Sequence, residues 1–226
     1  YNEERTELLY FLENLLNNPP KQIFFMGDIF DLFIGNFSYL REKNREVVFL
    51  IEKLGEKSEI FFFEGNHDFL LEKNIKNIKY IALNNQPHEF VCNGKIAFLS
   101  HGDYDEGFLH SVFTALIRSR IFLFLLNFLS FNFFGNWFIK KIVKNLKKKE
   151  LCRSFGNFNS FIEKKILRNF QNADIVIEGH YHQNCDFFID KTRYINASSF
   201  ACNQSFNVVE FNENGINFIT KKYKRA

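Results

Sequence analysis

Four short apolar runs in this chain each end abruptly in polar groups. Ile23-Phe24-Phe25-Met26 runs into Gly27-Asp28, and Ile60-Phe61-Phe62-Phe63 reaches Gly65-Asn66-His67-Asp68. Ile96-Ala97-Phe98-Leu99 leads to Ser100-His101-Gly102-Asp103, and Ile175-Val176-Ile177 to Gly179-His180-Tyr181-His182. Runs of this length, rich in β-branched and aromatic residues, read as buried strands that deliver side chains at their C-terminal ends. Between them, periodicity predicts an amphipathic helix over residues 3–17, stopped by Pro19-Pro20. A second helix is predicted over 39–54, with Leu40, Val47, Val48, Leu50, Ile51 and Leu54 inward and Gly55 as its cap. Further strands are predicted at 22–26, 59–64, 78–83, 88–92, 95–100 and 174–178, with a short helix from Phe69. Asn93-Gly94 and Asn214-Gly215 carry hairpin signals, and the tail from Cys185 to Tyr223 alternates as β-structure. The fold class these elements predict is α+β of the α/β sandwich type. Two packed mixed sheets are flanked by helices, with no evident internal repeat.

One stretch departs from this pattern. Residues 108–149 contain Arg118, Arg120, Lys140, Lys141, Lys144, Lys147, Lys148 and Lys149 and no acid, so +8 sits in a chain whose net charge is +3. The remainder is therefore at −5. The same stretch holds Ile121-Phe122-Leu123-Phe124-Leu125-Leu126-Asn127-Phe128-Leu129, with Phe131, Phe133, Phe134, Trp137 and Phe138 beyond. An apolar run beside a lysine cluster predicts a helical insertion that meets anionic lipid or a lipid-like substrate, and the plain alternative is a buried helix pair.

Composition adds bounds. At 226 residues and 46% hydrophobic, the chain can build one large globular domain, and nothing points to a nucleic-acid partner. The 32 phenylalanines are read as compositional bias rather than as a binding signal. Cys92, Cys152, Cys185 and Cys202 form no C-x-x-C pair, which predicts reduced, packed thiols in a cytosolic protein. No signal-peptide pattern opens the chain, and no run reaches the roughly 18 apolar residues of a membrane span. Tyr1 leads straight into a helix, where a strand would ordinarily come first, so a preceding strand is expected to be missing.

Asp28, Asn66, His101, His180 and His182 offer one carboxylate, one amide oxygen and three imidazoles. Hard oxygen donors mixed with imidazole suit Mn²⁺, with Fe²⁺ or Zn²⁺ as alternatives. A carboxylate can bridge two ions about 3.5–4 Å apart, the spacing at which paired metals clamp a phosphoryl group. His180 and His182, two apart on an extended segment, face the same side. Each piece is weak alone, since a Gly-Asp pair is mostly a turn. Four pieces, each ending an apolar strand, make a metal site the expectation.

Gly27-Asp28-x-x-Asp31, Gly65-Asn66-His67-Asp68, His101-Gly102-Asp103 and Gly179-His180-x-His182 resemble the signature of the calcineurin-like metallophosphoesterases. That resemblance implies an αββα sandwich and two divalent ions. Asp28 bridges them, Asn66, His101 and His180 complete one site, and His182 belongs to the other. It also implies that His67 serves the leaving oxygen, held by Asp68, and that Asp31 orients a ligand from behind. The family's opening Asp-x-His motif is absent, and the chain is expected to be cut just after it. Gly27-Asp28-Ile29-Phe30-Asp31-Leu32-Phe33-Ile34-Gly35 and Gly65-Asn66-His67-Asp68-Phe69-Leu70-Leu71 are similar to the versions in the UDP-2,3-diacylglucosamine hydrolases of lipid A synthesis, many of which carry Arg where His67 stands. The expected activity is cleavage of that lipid-linked nucleotide to UMP and a lipid phosphate, by a cytoplasmic protein peripheral on the inner face of the inner membrane. The competing expectations are a phosphodiesterase or phosphatase for soluble substrates, and a metal-depleted scaffold that binds a membrane or a partner.

Overall fold

The computed structural model describes residues 3–35, 37–92, 94–105, 112, 115–119, 121, 124, 152, 154–212 and 215–225. It is a mixed α/β structure with several sheets and flanking helices. The chain divides into two compact units. Leu12–Asn85 with Asp103–Glu150 form one, and Tyr1–Phe11, Gln86–Gly102 and Leu151–Ala226 form the other.

In chain order the first elements are α1 (Glu3–Asn17), β1 (Gln22–Phe25), β2 (Phe33–Ile34), α2 (Ser38–Gly55), β3 (Glu59–Phe63), β4 (Asp68–Phe69) and β5 (Lys79–Ile81). Strands β1, β3 and β5 form a parallel sheet in that order. Continuous apolar strands are what a parallel sheet covered on both faces requires. Phe62 and Phe63 are accordingly fully buried, and Phe24 stacks on Phe61 with ring centroids 4.9 Å apart. Helix α2 buries Leu40, Val47, Val48, Leu50, Ile51 and Leu54, the predicted inner face.

Two local expectations are corrected. No helix starts at Phe69. Asp68 and Phe69 instead pair in parallel with Phe33 and Ile34, and Leu70 turns the chain with a left-handed φ of 58°. Gly55 is the last residue of α2, and its cap is Glu56 in the ordinary right-handed region (φ −73°). The glycine is there because the backbone of Asn77 approaches it. A Cβ would collide with the Asn77 carbonyl oxygen and sit 2.7 Å from its Cβ.

The second unit contains β6 (His88–Cys92), β7 (Lys95–Ser100), α3 (Phe158–Asn169), β8 (Ile175–Glu178), β9 (Cys185–Ile189), β10 (Thr192–Asn196), α4 (Phe200–Asn203), β11 (Ser205–Asn212) and β12 (Gly215–Lys222). Its sheet runs β6-β7-β8-β10-β9, with β7, β8 and β10 parallel and both outer strands antiparallel. Strands β11 and β12 form the predicted hairpin. Phe11 of α1 packs on Phe200, Phe206 and Tyr223 at 5.0, 4.8 and 5.4 Å.

Most of the expected insertion at 108–149, including its six lysines and Phe122 and Leu125, lies outside the described residues. Of its described members, Val112, Leu116, Ile121 and Phe124 are exposed. No helix of the described residues is long and apolar enough to cross a membrane.

Gly55→Ala tests the close approach at the end of α2. Helix propensity alone would stabilise by about 0.5–1 kcal/mol. Overpacking against Asn77 should reverse the sign and cost about 1–3 kcal/mol in urea denaturation.

Candidate functional site

In the first unit the ligand-bearing turns are fastened by one carboxylate. Gly27 and Asp28 follow β1 in left-handed conformations, φ 85° and 56°. Asp68, fully buried, accepts four backbone N–H groups. Its Oδ1 receives those of Asp28 (2.9 Å) and Gly65 (3.1 Å), and its Oδ2 those of Ile29 (2.6 Å) and Phe30 (3.4 Å). Asp28 returns the contact, its Oδ1 accepting the His67 N–H at 2.8 Å. The loops after β1 and β3 are thereby interlocked. A side chain at Gly65 would collide with the Asp28 carboxylate and lie 2.6 Å from its backbone nitrogen, so no Cβ fits there. The resemblance has Asp68 steady His67. The structure adds this backbone clamp, which places Asp28. Asn66 and His67 sit half-buried on the same turn, and Asp31 is exposed.

Behind that turn is a group sequence reasoning missed. Glu64, 2% exposed, accepts the Tyr80 hydroxyl (2.7 Å) and Arg118 Nε (2.7 Å). Arg118 also donates Nη2 to the Gly65 carbonyl at 3.1 Å, and its guanidinium lies 4.7 Å over the Phe69 ring.

In the second unit His101 follows β7, 1% exposed, its N–H held by Gln86 Oε1 at 2.7 Å. His101 Nε2 and His180 Nδ1 stand 3.1 Å apart, with their rings edge to face. Asn196 pinches the turn that carries His180 and His182. It donates to the carbonyls of Glu178 (3.0 Å) and Gly179 (2.6 Å) and accepts the Gln183 N–H (2.6 Å). Both histidines have left-handed φ, 36° and 56°. Non-glycine residues held there are strained, and such strain concentrates at functional sites. Tyr181 and Gln183 line an open cleft of about 350 Å³ with Ser154, Phe155 and Gly156.

The thiol expectation is corrected here. Cys152 and Cys202 form a disulfide, their Cα atoms 5.5 Å apart, and Cys202 Sγ lies 4.0 Å from His182 Nδ1. Fifty residues separate the two, so no spacing rule could announce the pair. Cys185 is a free thiol, its pKa raised first by burial.

Pairing registers also reveal a repeat that the sequence hid. Phe25 is opposite Phe62, and Phe62 is opposite Tyr80. Phe98 is opposite Val176, and Val176 is opposite Tyr194. Counting onward from these ladders, Asp28 falls at the position of His101, Asn66 at that of His180, and Asp68 at that of His182. Glu64 likewise matches Glu178.

Carboxylate, amide and imidazole donors on fastened turns are a fitting set for hard or borderline divalent ions. The sequence model of the calcineurin-like phosphoesterases matches residues 2–184, so the chain belongs to that family of metal-dependent phosphoester hydrolases. Among curated proteins it is similar to the UDP-2,3-diacylglucosamine hydrolase of Neisseria gonorrhoeae, 27% identical over 80% of this chain and 76% of that one. The enzyme of the same name from Coxiella burnetii (strain RSA 331) is 29% identical over 45% of this chain and 43% of its own. The one from Pseudomonas syringae pv. tomato is 23% identical over 71% and 66%. Among solved structures, a dimetal phosphatase from Danio rerio aligns over 97% of this chain and 89% of its own, with TM-score 0.46 and 13% identity.

Asp68→Ala would strip an acceptor from four backbone donors. A hydrogen bond to a charged group contributes about 1.5–3 kcal/mol, so the variant should lose on the order of 3 kcal/mol or more in urea denaturation. A loss below about 1 kcal/mol would deny Asp68 the clamp.

Proposed function

We propose that this protein hydrolyses the pyrophosphate of UDP-2,3-diacylglucosamine to UMP and 2,3-diacylglucosamine 1-phosphate, a step of lipid A synthesis. A pair of divalent ions, Mn²⁺ foremost, is proposed as the cofactor. Asp28, Asn66, His101, His180 and His182 would hold the ions, with Asp31 orienting a ligand. The observation that carries the reading is the repeat, which puts Asp28 and His101, and Asn66 and His180, at equivalent places after parallel strands. Similarity to the UDP-2,3-diacylglucosamine hydrolases supplies the substrate.

When bound, such ions neutralise phosphoryl charge and activate water. The chain's own residues do the rest. His67 stands at the turn after β3 with its backbone tied to Asp28, poised to protonate the departing bridging oxygen. Water's oxygen joins one phosphorus, the P–O bond to the bridging oxygen breaks, and that oxygen leaves with the proton His67 supplies. The Asp68 clamp keeps Asp28 and His67 in fixed relation. The basic, apolar insertion at 108–149 is proposed to take the acyl chains and rest on anionic headgroups, at the inner face of the cytoplasmic membrane.

A substrate panel tests this. With Mn²⁺, kcat/KM for UDP-2,3-diacylglucosamine should exceed that for aryl phosphodiesters and fall as the acyl chains are shortened. His67→Ala should lower kcat by about 10²–10⁴ with metal content intact, the range that a proton donor contributes. Equal turnover of soluble diesters, without chain-length preference, would move the assignment to a soluble-substrate phosphodiesterase. Unchanged kcat in the variant would remove His67 from the chemistry.

A further inference from the structure

The repeat places a buried glutamate two residues before a ligand in each unit, and neither is needed as a ligand. Glu178, fully buried, ends β8 just before Gly179-His180. It accepts the Tyr194 hydroxyl at 3.1 Å and the Ser100 hydroxyl at 3.2 Å. Lys165, reaching in from α3 and 4% exposed, pairs with it at 2.8 Å. The same ammonium donates to the Gly102 carbonyl at 3.0 Å and contacts the Tyr181 hydroxyl at 3.3 Å, which itself donates to Gly102 at 3.2 Å. Tyr194 is pushed above the ordinary phenol range, first by burial and then by Glu178, so it stays a protonated donor.

The connectivity matters more than the charge pair. Gly102 follows His101, and Glu178 precedes Gly179-His180. One ammonium therefore spans the two turns whose imidazoles stand 3.1 Å apart. Gly102 holds a left-handed φ of 121°, and a Cβ there would meet His180 Cβ at 3.3 Å, so the turns are already at their closest approach. Arg118 likewise pairs with a buried glutamate that accepts from a tyrosine, Glu64 with Tyr80, but its second bond, to the Gly65 carbonyl, stays on the same turn.

We infer that Lys165 is a positioning residue. By bonding Gly102 and Glu178 together it sets the separation and aim of His101 and His180, and through them the affinity and geometry of the metal they take. This rests on the metal-centre reading above. A buried pair kept for packing alone would behave differently: replacing both partners, often near-neutral for stability when the replacements pack well, would leave metal affinity unchanged.

The test is the double variant Lys165→Met/Glu178→Gln, in which the glutamine oxygen still accepts from Tyr194, its amide can donate to the Ser100 hydroxyl oxygen, and Gly102 loses its ammonium. Metal-free protein should melt with the wild type. Titration with Co²⁺, followed by its visible d–d absorption, should show at least tenfold weaker binding and a shifted band. Wild-type affinity with an unchanged band would overturn the inference. Should the double variant not fold, Lys165→Arg decides, because its guanidinium can still bond both groups. Binding within threefold of wild type is expected, and a tenfold loss in a folded Lys165→Arg protein would overturn it. Wild-type protein that takes up no Co²⁺ would sink the metal-centre reading itself, and this inference with it.

Discussion

A carboxylate taken out of water must be hydrogen bonded or paired, because its desolvation costs several kcal/mol that nothing else returns. Asp68, Glu64 and Glu178 are all at or below 2% exposure, and the structure around them is what satisfying them requires. Asp68 draws in backbone N–H groups from two loops and fixes where Asp28 sits. Glu64 and Glu178 each take a tyrosine from the neighbouring parallel strand and a cation from outside the sheet. Burial, then the nearby glutamate, raises both tyrosines, which keeps each a donor. Groups held this way are preorganised, so little reorganisation is left for the moment of reaction.

Parallel pairing makes the arrangement repeatable. Neighbouring parallel strands end on the same side, and a fixed register puts the turns after them at equivalent places. Asp28 and His101 occupy one such place, Asn66 and His180 the next. The left-handed backbone at Asp28, His180 and His182 is the local cost, tolerated because the clamps of Asp68 and Asn196 over-determine those turns.

Legibility in the sequence followed the range of the signal. Helices at 3–17 and 39–54 and the strands at 22–25, 59–63, 95–100 and 175–178 were readable, because apolar period and Pro or Gly punctuation are local. So were the glycine-led turns that end those strands. What failed depends on distant partners. Phe69 looked helical because nothing nearby says that Phe33 and Ile34 will pair with it. Gly55 looked like a cap because the approach of Asn77 is tertiary. The internal repeat escaped because Asp stands where His stands, and Asn where His does. Only strand register equates them. The signal that could have betrayed it is short, Glu64-Gly65-Asn66 against Glu178-Gly179-His180, each with a tyrosine sixteen residues after the glutamate. Lys165 and Arg118 carried no cue, since a cation in a helical stretch ordinarily reads as a solvated face.

The central proposal is that Asp28, Asn66, His101, His180 and His182 would hold a pair of divalent ions, with Asp28 serving both. The electron paramagnetic resonance spectrum of the Mn²⁺-loaded protein tests this most directly. Two ions joined by a bridging carboxylate are exchange-coupled and give a multiline spectrum at low temperature, and Asp28→Ala should abolish the coupling. A spectrum of isolated, uncoupled Mn²⁺ at full occupancy would contradict the claim.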